Sequence, residues 1–221
     1  MCCSTSLGCS LLFTIAGMLE GRQLKIALEP VTEVHLRLLG PQDCKWVEEF
    51  CQRLERKTIY YRFLSAGIPH NYFERLLAGS PQSRVALAAF DLSAGSARLL
   101  GLGECALESA SEKRGDLALL VGERWQRMNL GTKLFQELLK IAQDWGLQTA
   151  GVSFLEENIG IRKLLCRIER AGLITTLNSC SSYGETHRLL RLNYARRVDL
   201  MLEHFSNSAR AAARDSVPLG F

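Results

Sequence analysis

The sequence predicts an α+β domain in which helices flank a central sheet. Short segments alternate apolar and polar residues, as strands do, and two longer segments carry apolar residues at helical spacing. The clearest change of period lies at residues 116–146, where the apolar run DLALLV passes through a polar turn into a helical pattern. With 221 residues, 47% of them hydrophobic, the chain is long enough to bury one sizeable core.

We place the domain at residues 31–195, between an N-terminal extension, 1–30, and a C-terminal tail, 196–221, with a weak helical pattern. The extension contains an apolar run from Leu11 to Leu19, which is too short to span a bilayer. It also lacks the basic start of a secretory signal. We therefore expect a cytoplasmic protein; attachment of the extension to a membrane is the alternative.

Charge and composition narrow the classes of partner. The formal net charge is +4, from 27 basic and 23 acidic residues, which suits an anionic ligand. No basic block indicates nucleic-acid binding, and the four histidines lack the spacing of metal ligands. Buried, reduced thiols are expected for the cysteines in apolar-patterned segments, namely Cys44, Cys51, Cys105 and Cys166.

The N-terminal half of the domain reads as one strand followed by three helices. VHLRLL, residues 34–39, alternates as a strand does, and GPQD then opens a helix with Pro41 in its first turn. TIYYRFL and NYFERLLAG predict two shorter helices, the second capped by Asn71. We interpret the Tyr60–Phe63 run as helix packing on the sheet; the alternative is a place beside an acceptor.

The remaining strands surround two longer helices. RVALAAFDL and RLLGLGECALES predict a hairpin around SAGSA, and GDLALLV predicts a strand in the middle of the sheet with both faces covered. A helix from Leu130 to Trp145 should end at Gly146. GLQTAGVSFL is the next strand, Asn158 to Arg170 a basic amphipathic helix, and THRLLRLNY the last strand.

The turn between DLALLV and the first long helix is a candidate anion site. The first N–H groups of a helix lack intrahelical partners and lie at the positive end of its dipole. Residues Gln126 to Thr132 would supply these groups, with Arg124 and Arg127 at the rim. Neither a P-loop nor a GxGxxG pattern is present, so from spacing alone a plain strand–helix connection remains the alternative.

The order of residues in this turn resembles a known cofactor motif. VGERWQRMNLG is similar to the acetyl-CoA motif of the GNAT N-acetyltransferase superfamily, V-x-x-x-x-[QR]-x-x-G-x-[GA], with Val121, Gln126 and Gly131 in register. Asn129 stands where the first motif glycine is expected. Asparagine tolerates left-handed backbone better than other non-glycine residues, so the turn can form, although its side chain would approach a pyrophosphate.

The resemblance extends from Val34 to Leu173. VHLRLLGPQDCKWVEEFCQRL and TIYYRFL resemble the start of the Pat-type protein lysine acetyltransferase branch, and GDLALLV, IAQDWGL and EENIGIRKLL are similar to its later motifs. This resemblance implies a mixed, mostly antiparallel sheet of about six or seven strands. It also implies that the sheet is splayed between the strands Asp116–Val121 and Thr149–Phe154.

The resemblance further implies acetyl-CoA as co-substrate, without a metal, bound in that split. The pantetheine arm would bond to backbone near Leu119 and Val121. Asn158 matches a family asparagine that contacts the cofactor; a helix N-cap is the alternative, and both roles can hold together. The pyrophosphate would lie on the turn formed by Gln126, Arg127, Met128, Asn129, Leu130, Gly131 and Thr132.

Two carboxylates are candidate general bases. Asp116 matches the Glu that opens the corresponding strand in Pat-like proteins; it is one methylene shorter, so a water relay is expected, and a solvated strand position is the alternative. Glu104 is the substitute base, with an ordinary outward strand position as the alternative. The tyrosine that many GNAT enzymes use as general acid is Leu165 here, and the neighbouring Cys166 is interpreted as a core residue.

The sequence thus predicts an acetyl-CoA-dependent N-acetyltransferase that transfers an acetyl group to a primary amine by direct attack on the thioester. The expected acceptor is a protein lysine or a small amine. The alternative is a catalytically weak GNAT-like module that binds acyl-CoA as a sensor or interaction domain. The sequence implies neither a specific acceptor nor an oligomeric state.

Overall fold

A computed structural model describes residues 24–28, 32–78, 83–92 and 97–193. Eight strands form one sheet in the order β1-β2-β3-β4-β5-β6-β8-β7. They are β1 (Leu24–Leu28), β2 (Thr32–Leu38), β3 (Arg84–Asp91), β4 (Arg98–Ser109), β5 (Arg114–Val121), β6 (Thr149–Leu155), β7 (Ile174–Ser182) and β8 (Glu185–Leu192). The helices are α1 (Cys44–Gln52), α2 (Arg56–Phe63), α3 (Tyr72–Leu77), α4 (Leu130–Asp144) and α5 (Ile159–Arg170), with 3₁₀ turns at Pro41–Asp43 and Glu123–Trp125.

The predicted mixed, mostly antiparallel sheet is confirmed. Every neighbouring pair of strands is antiparallel except β5 and β6, which are parallel. Two of the eight strands were not recognised in the sequence. β1 lies in the range assigned to the N-terminal extension, so the sheet begins before residue 31. In β7 only Ile174 is buried, which explains why that segment lacks strand alternation.

Helices cover both faces of the sheet, and each face has its own apolar core. Helix α4 packs on one face with the expected stripe of Leu130, Leu134, Leu138 and Ile141 buried, and Gly146 ends it in a left-handed conformation with φ +70°. Helices α1 and α3 pack on the opposite face around Val47, Phe50, Tyr72, Leu76 and Phe90. Strand β3 is therefore enclosed on both sides. GDLALLV in β5 is covered only in part, because Asp116 is exposed and Ala118, Leu119 and Val121 are half-buried.

The strand-to-helix connection after β2 is fixed by an ion pair. Arg37 Nη1 and Nη2 donate to the two carboxylate oxygens of Asp43, each at 2.8 Å, and the Gly40 N–H donates to the same carboxylate at 2.8 Å. Burial alone would raise the pKa of Asp43, but the hydrogen bonds from Arg37 and Gly40 outweigh it and lower that pKa. These contacts hold the connection between β2 and α1 in place.

Three expectations about individual residues need correction. Cys51 and Cys105 are buried free thiols as expected, and burial raises the pKa of each to about 12. Cys44, however, is only half-buried, and Cys166 is exposed, because one residue after the inward Leu165 the helix has turned by about 100°. Asn71 precedes α3, but its side chain makes no capping hydrogen bond.

The N-terminal apolar run and the tail 196–221 lie outside the described residues, as does most of the SAGSA loop. Among the helices that the structure describes, none is long and apolar enough to cross a membrane.

Candidate functional site

The sheet opens between its two parallel strands. β5 and β6 pair only through Arg114 with Thr149, Gly115 with Ala150 and Asp116 with Gly151. On its other side β5 stays paired with β4 as far as Val121, which faces Gly101. Beyond Asp116 the two parallel strands therefore diverge and leave a wedge-shaped gap, which we call the split. This confirms the predicted splay.

The backbone of β5 beyond Asp116 faces this split at alternate residues. Gly122 N–H donates to the Leu100 carbonyl on β4 at 3.0 Å, and hydrogen-bonding groups alternate sides along an antiparallel strand. Leu119 and Val121 consequently turn their backbone groups away from β4, toward the split. The Val121 carbonyl accepts a hydrogen bond from Gln126 Nε2 at 3.0 Å. Leu119 thus lies where the resemblance expects the pantetheine arm.

The turn after β5 is held in an unusual backbone shape. Arg127 and Asn129 both have positive φ angles, 63° and 67°, so the residue in place of the motif glycine adopts the left-handed conformation expected of asparagine. Gln126 Nε2 also contacts Thr58 Oγ1 of α2 at 3.2 Å, which ties the turn to the opposite face of the sheet. The turn therefore has a defined conformation that hydrogen bonds hold in place.

This turn leads directly into the N-terminus of α4. The Lys133 N–H donates to the Asn129 carbonyl at 3.1 Å, which is the first bond of the helix. The N–H groups of Leu130, Gly131 and Thr132 precede it and have no carbonyl within the helix to bond. A Cβ at Gly131 would lie 3.4 Å from Leu164 Cδ1 and 3.8 Å from Val121 Cγ2, so only a small residue fits there without displacing a neighbour.

A cation that the sequence analysis missed reaches this turn from α5. Arg167 Nη1 donates to Asn129 Oδ1 at 3.1 Å and to Thr132 Oγ1 at 3.3 Å. The guanidinium thus adds positive charge at the positive end of the α4 dipole. The basic pattern of α5 was visible in the sequence, but its spacing could not show which arginine faces the turn.

Asn158 starts α5 as its N-cap, because its Oδ1 accepts a hydrogen bond from the Ile161 N–H at 3.2 Å. The capping alternative is therefore observed, and contact of Asn158 with a cofactor stays a prediction. Leu165, at the position of the missing tyrosine, is buried and has no titratable group.

Asp116 lies at the closed end of the split. An ideal Cβ on Gly151 of β6 would be 2.3 Å from Asp116 Oδ1, so the carboxylate occupies the space above that glycine. Asp116 is exposed, as the solvated alternative expects, but neighbouring atoms remove part of its hydration. This partial desolvation, and secondarily the charge of Glu108, raises the pKa of Asp116. A carboxylate whose pKa is raised is a stronger base than a free one.

Glu104 lies in a buried network of donors, and its role as substitute base stays a prediction. It is 4% exposed, so the ordinary outward strand position is wrong. Its carboxylate accepts hydrogen bonds from Arg62, from the Tyr72 hydroxyl at 2.8 Å and from Arg84 at 3.3 Å. Arg62 belongs to the Tyr60–Phe63 run, so this contact joins the run to the sheet, although Tyr60 itself is exposed.

The same region offers no cluster for a metal. Within residues 24–28, 32–78, 83–92 and 97–193, no group of three or more His, Cys, Asp or Glu side chains is arranged to hold a metal ion. The candidate site therefore consists of backbone N–H groups, arginine and carboxylate side chains.

Comparison with known proteins bears on the fold alone. No protein-family model matches the chain, and no curated protein matches it by sequence. The GNAT domain of PAT from S. lividans superposes with a TM-score of 0.67 at 16% identity, covering 77% of this chain and 97% of that domain. An acetyltransferase of the GNAT family from Streptococcus pneumoniae gives 0.56 at 18% identity, covering 73% of this chain and all of the other.

A third similar structure was solved with bound ligands. Spermidine N-acetyltransferase from Vibrio cholerae, in complex with CoA and spermine, has a TM-score of 0.55 at 14% identity and covers 72% of this chain and 95% of its own.

Proposed function

We propose that this chain, which has the GNAT fold, is an acetyl-CoA-dependent N-acetyltransferase that acts on a primary amine. The observation that carries the proposal is the split beside a left-handed turn at the N-terminus of α4. Because an extended ligand can bond to a strand only where no neighbouring strand does, this gap suits a pantetheine arm.

The described residues fit the cofactor's chemical groups. The pyrophosphate would be held by the N–H groups of the turn from Gln126 to Thr132, with Arg167 and the α4 dipole supplying positive charge. The pantetheine amides would bond to the Leu119 backbone in the split. Gly131 keeps the helix start close to Val121 and Leu164, which leaves the outer side of the turn for the anion.

Acetyl-CoA would supply an activated thioester, and the protein must supply a neutral amine beside it. An alkyl amine with a pKa of about 10.4 is neutral in well under ~1% of molecules at pH 7. Asp116 is the carboxylate at the closed end of the split, and its raised pKa suits it to accept the amine proton, directly or through a water. The negative charge of Asp116 also attracts a cationic amine.

These features support an acceptor that is a protein lysine or a small amine, since both present a cationic primary amine. The geometry favours Asp116 over Glu104 as the base. Glu104 is enclosed by three donors, so an acceptor nitrogen could reach it only by displacing one of them.

Calorimetric titration with acetyl-CoA tests the cofactor part of the proposal. Wild-type protein should bind, and Gly131→Leu should not, because the added side chain would collide with Leu164. Gly67→Leu is the matched control, since a Cβ there meets nothing within 4 Å. Absence of binding to folded wild-type protein at high micromolar acetyl-CoA would refute the proposal.

One observation favours a second function, an acyl-CoA-binding sensor. The position of the general-acid tyrosine is the buried Leu165, and the base is a shortened carboxylate. Assays of CoA release with lysine peptides, polyamines and amino acids decide between the two functions. Binding without release of CoA with any of these acceptors would favour the sensor.

A further inference from the structure

Three polar side chains, a hydrogen-bonded pair and an adjoining carboxylate, lie in contact across β6 and β8. Ser153 Oγ lies 2.7 Å from His187 Nδ1, and His187 Nε2 lies 3.1 Å from Glu185 Oε1. Ser153 and His187 are direct partners in the strand register, so the sheet itself holds them opposite each other. Spacing in the sequence could not bring them together, because Ser153 and His187 are 34 positions apart.

One tautomer of His187 suits both contacts. A carboxylate can only accept a hydrogen bond, so a protonated His187 Nε2 is the form that suits the Glu185 oxygen 3.1 Å away. In the neutral ring Nδ1 is then the unprotonated acceptor, and the Ser153 hydroxyl donates to it. The free lone pairs of Ser153 Oγ remain available to accept a proton from another molecule. This polarity is that of a hydroxyl activated by a base.

Ser153, His187 and Glu185 lie next to the split, on the same face of the sheet as Asp116. The Asp116 carboxylate projects over Gly151, and alternate residues of a strand share a face, so Ser153 is on that face as well. Ser153 is two residues beyond Gly151, the last residue of β6 that pairs with β5. It therefore stands on the free flank of the split, and it is exposed.

Charged groups on two strands lie near the His187 ring. Asp116 on β5 and His187 interact electrostatically, and Glu185 contacts the ring from the same strand. On β7 the register partner of His187 is Cys180, an exposed thiol. Two carboxylates and one thiol therefore lie around the His187 ring.

We propose that Ser153, His187 and Glu185 form a proton relay that removes the second proton from the acceptor nitrogen, after Asp116 has taken the first proton from its ammonium form. This inference rests on the proposed acetyltransferase function. As the amine nitrogen bonds to the acetyl carbon, its proton passes to Ser153 Oγ while the serine proton passes to His187 Nδ1. The carbon–sulfur bond then breaks, and the proton held by the relay returns through Ser153 to the leaving thiolate. The relay would thereby serve as base and acid, the second role being the one that Leu165 cannot perform.

In this scheme Ser153 is the catalytic residue that touches the acceptor, and His187 and Glu185 are positioning residues that act through it. The test uses full-length protein with acetyl-CoA and whichever lysine peptide, polyamine or amino acid supports turnover of the wild type. Ser153→Ala and His187→Ala should lower kcat by about 10²–10⁴-fold, with an unchanged acetyl-CoA Kd. Ser153→Thr, which retains the hydroxyl, should recover much of the rate.

Two readouts separate a relay from a merely structural role. Added imidazole should partly rescue His187→Ala, and the deficit of each variant should shrink with an aryl amine, whose nitrogen is a stronger acid once it has bonded to the acetyl carbon and so depends less on a base. His70→Gln, a change at an exposed histidine in the α2–α3 connection, is the matched control and should leave kcat unchanged.

The outcomes distinguish this inference from the function on which it rests. If wild-type protein turns over but the Ser153 and His187 variants keep its kcat, the relay is refuted and the enzyme proposal stands. If no acceptor supports turnover by a wild type that binds acetyl-CoA, the relay is refuted together with the enzymatic function.

Discussion

The carboxylate of Asp116 and the α-carbon of Gly151 occupy adjoining space at the closed end of the split. A Cβ on Gly151 would lie 2.3 Å from Asp116 Oδ1, closer than any unstrained contact. Glycine at 151 is therefore what allows the Asp116 side chain to extend across β6. Because the two residues are also the last pair between β5 and β6, the position of the carboxylate is coupled to the point where the sheet opens.

Replacement of Gly151 by alanine tests this coupling. The colliding atom is the end of a flexible side chain, so the melting temperature should change little, whereas the Asp116 carboxylate must rotate away. A base displaced by about 1 Å loses about 10²-fold in rate, so kcat for acetyl transfer should fall by that order. Gly67→Ala, at a position with open space, is the control and should keep both stability and rate. Wild-type kcat in Gly151→Ala would show that Asp116 need not occupy this position.

Asp116→Asn should separate stability from activity. The pKa of Asp116 is raised in the folded state. The protonated side chain therefore stabilises the fold below the ordinary Asp pKa of about 3.9. This contribution is lost as pH rises through the folded-state pKa. The asparagine variant has no such loss. Its melting temperature should exceed that of wild type at pH 7, and the difference should vanish toward pH 3.

The same substitution should lower kcat by about 10²–10⁴-fold, as loss of a general base does. Thermal melts across the pH range and steady-state rates at pH 7 measure the two effects. A variant that is less stable than wild type at pH 7 would contradict the assigned direction of the pKa shift.

The sequence was sufficient to predict six strands, the two long helices and the turn between β5 and α4, because these segments have strong apolar periodicity or a motif. It was insufficient for β7, whose residues beyond Ile174 are mostly exposed and so carry no burial pattern. Strand β1 was missed because it belongs to a short segment that precedes any recognisable motif.

At the candidate site, features that depend on neighbouring residues could be predicted from the sequence, and features that depend on contacts between distant residues could not. The left-handed conformation of Asn129 followed from residue type within one turn. The contact of Arg167 with that turn joins residues 38 positions apart, and the environment of Glu104 depends on α2, α3 and β3 together. Such contacts depend on tertiary packing, which residue spacing in one sequence does not encode.

Arg167→Gln should weaken acetyl-CoA binding. A hydrogen bond to a charged group contributes about 1.5–3 kcal/mol, so the Kd should rise by about 10–100-fold, and its dependence on salt should become weaker. Titration calorimetry at two salt concentrations measures both. Arg170→Gln, one turn later on the same helix and also exposed, removes an equal charge and should have a small effect. Equal losses in the two variants would mean that only net charge matters.

The Glu104 network provides a test of the competing base. Glu104→Ala would leave Arg62 and Arg84 without their carboxylate and the Tyr72 hydroxyl without its acceptor, so it should destabilise the protein by about 3–5 kcal/mol. Glu104→Gln retains an acceptor oxygen and should cost less, about 1–3 kcal/mol. The glutamine variant is therefore the informative one, because it should remain folded at assay temperature.

If Glu104 organises the β3–β4 region and Asp116 is the base, kcat of Glu104→Gln should stay within about tenfold of wild type, since loss of a base costs about 10²–10⁴-fold. Denaturant titration and steady-state rates, measured on the same samples, make the comparison. Tyr72→Phe is the matched control: it removes one hydrogen bond to Glu104 and leaves the carboxylate charge in place, so its rate should equal that of wild type. A loss of 10²-fold or more in Glu104→Gln, with Tyr72→Phe fully active, would assign the base to Glu104, because only the carboxylate's charge distinguishes the two variants.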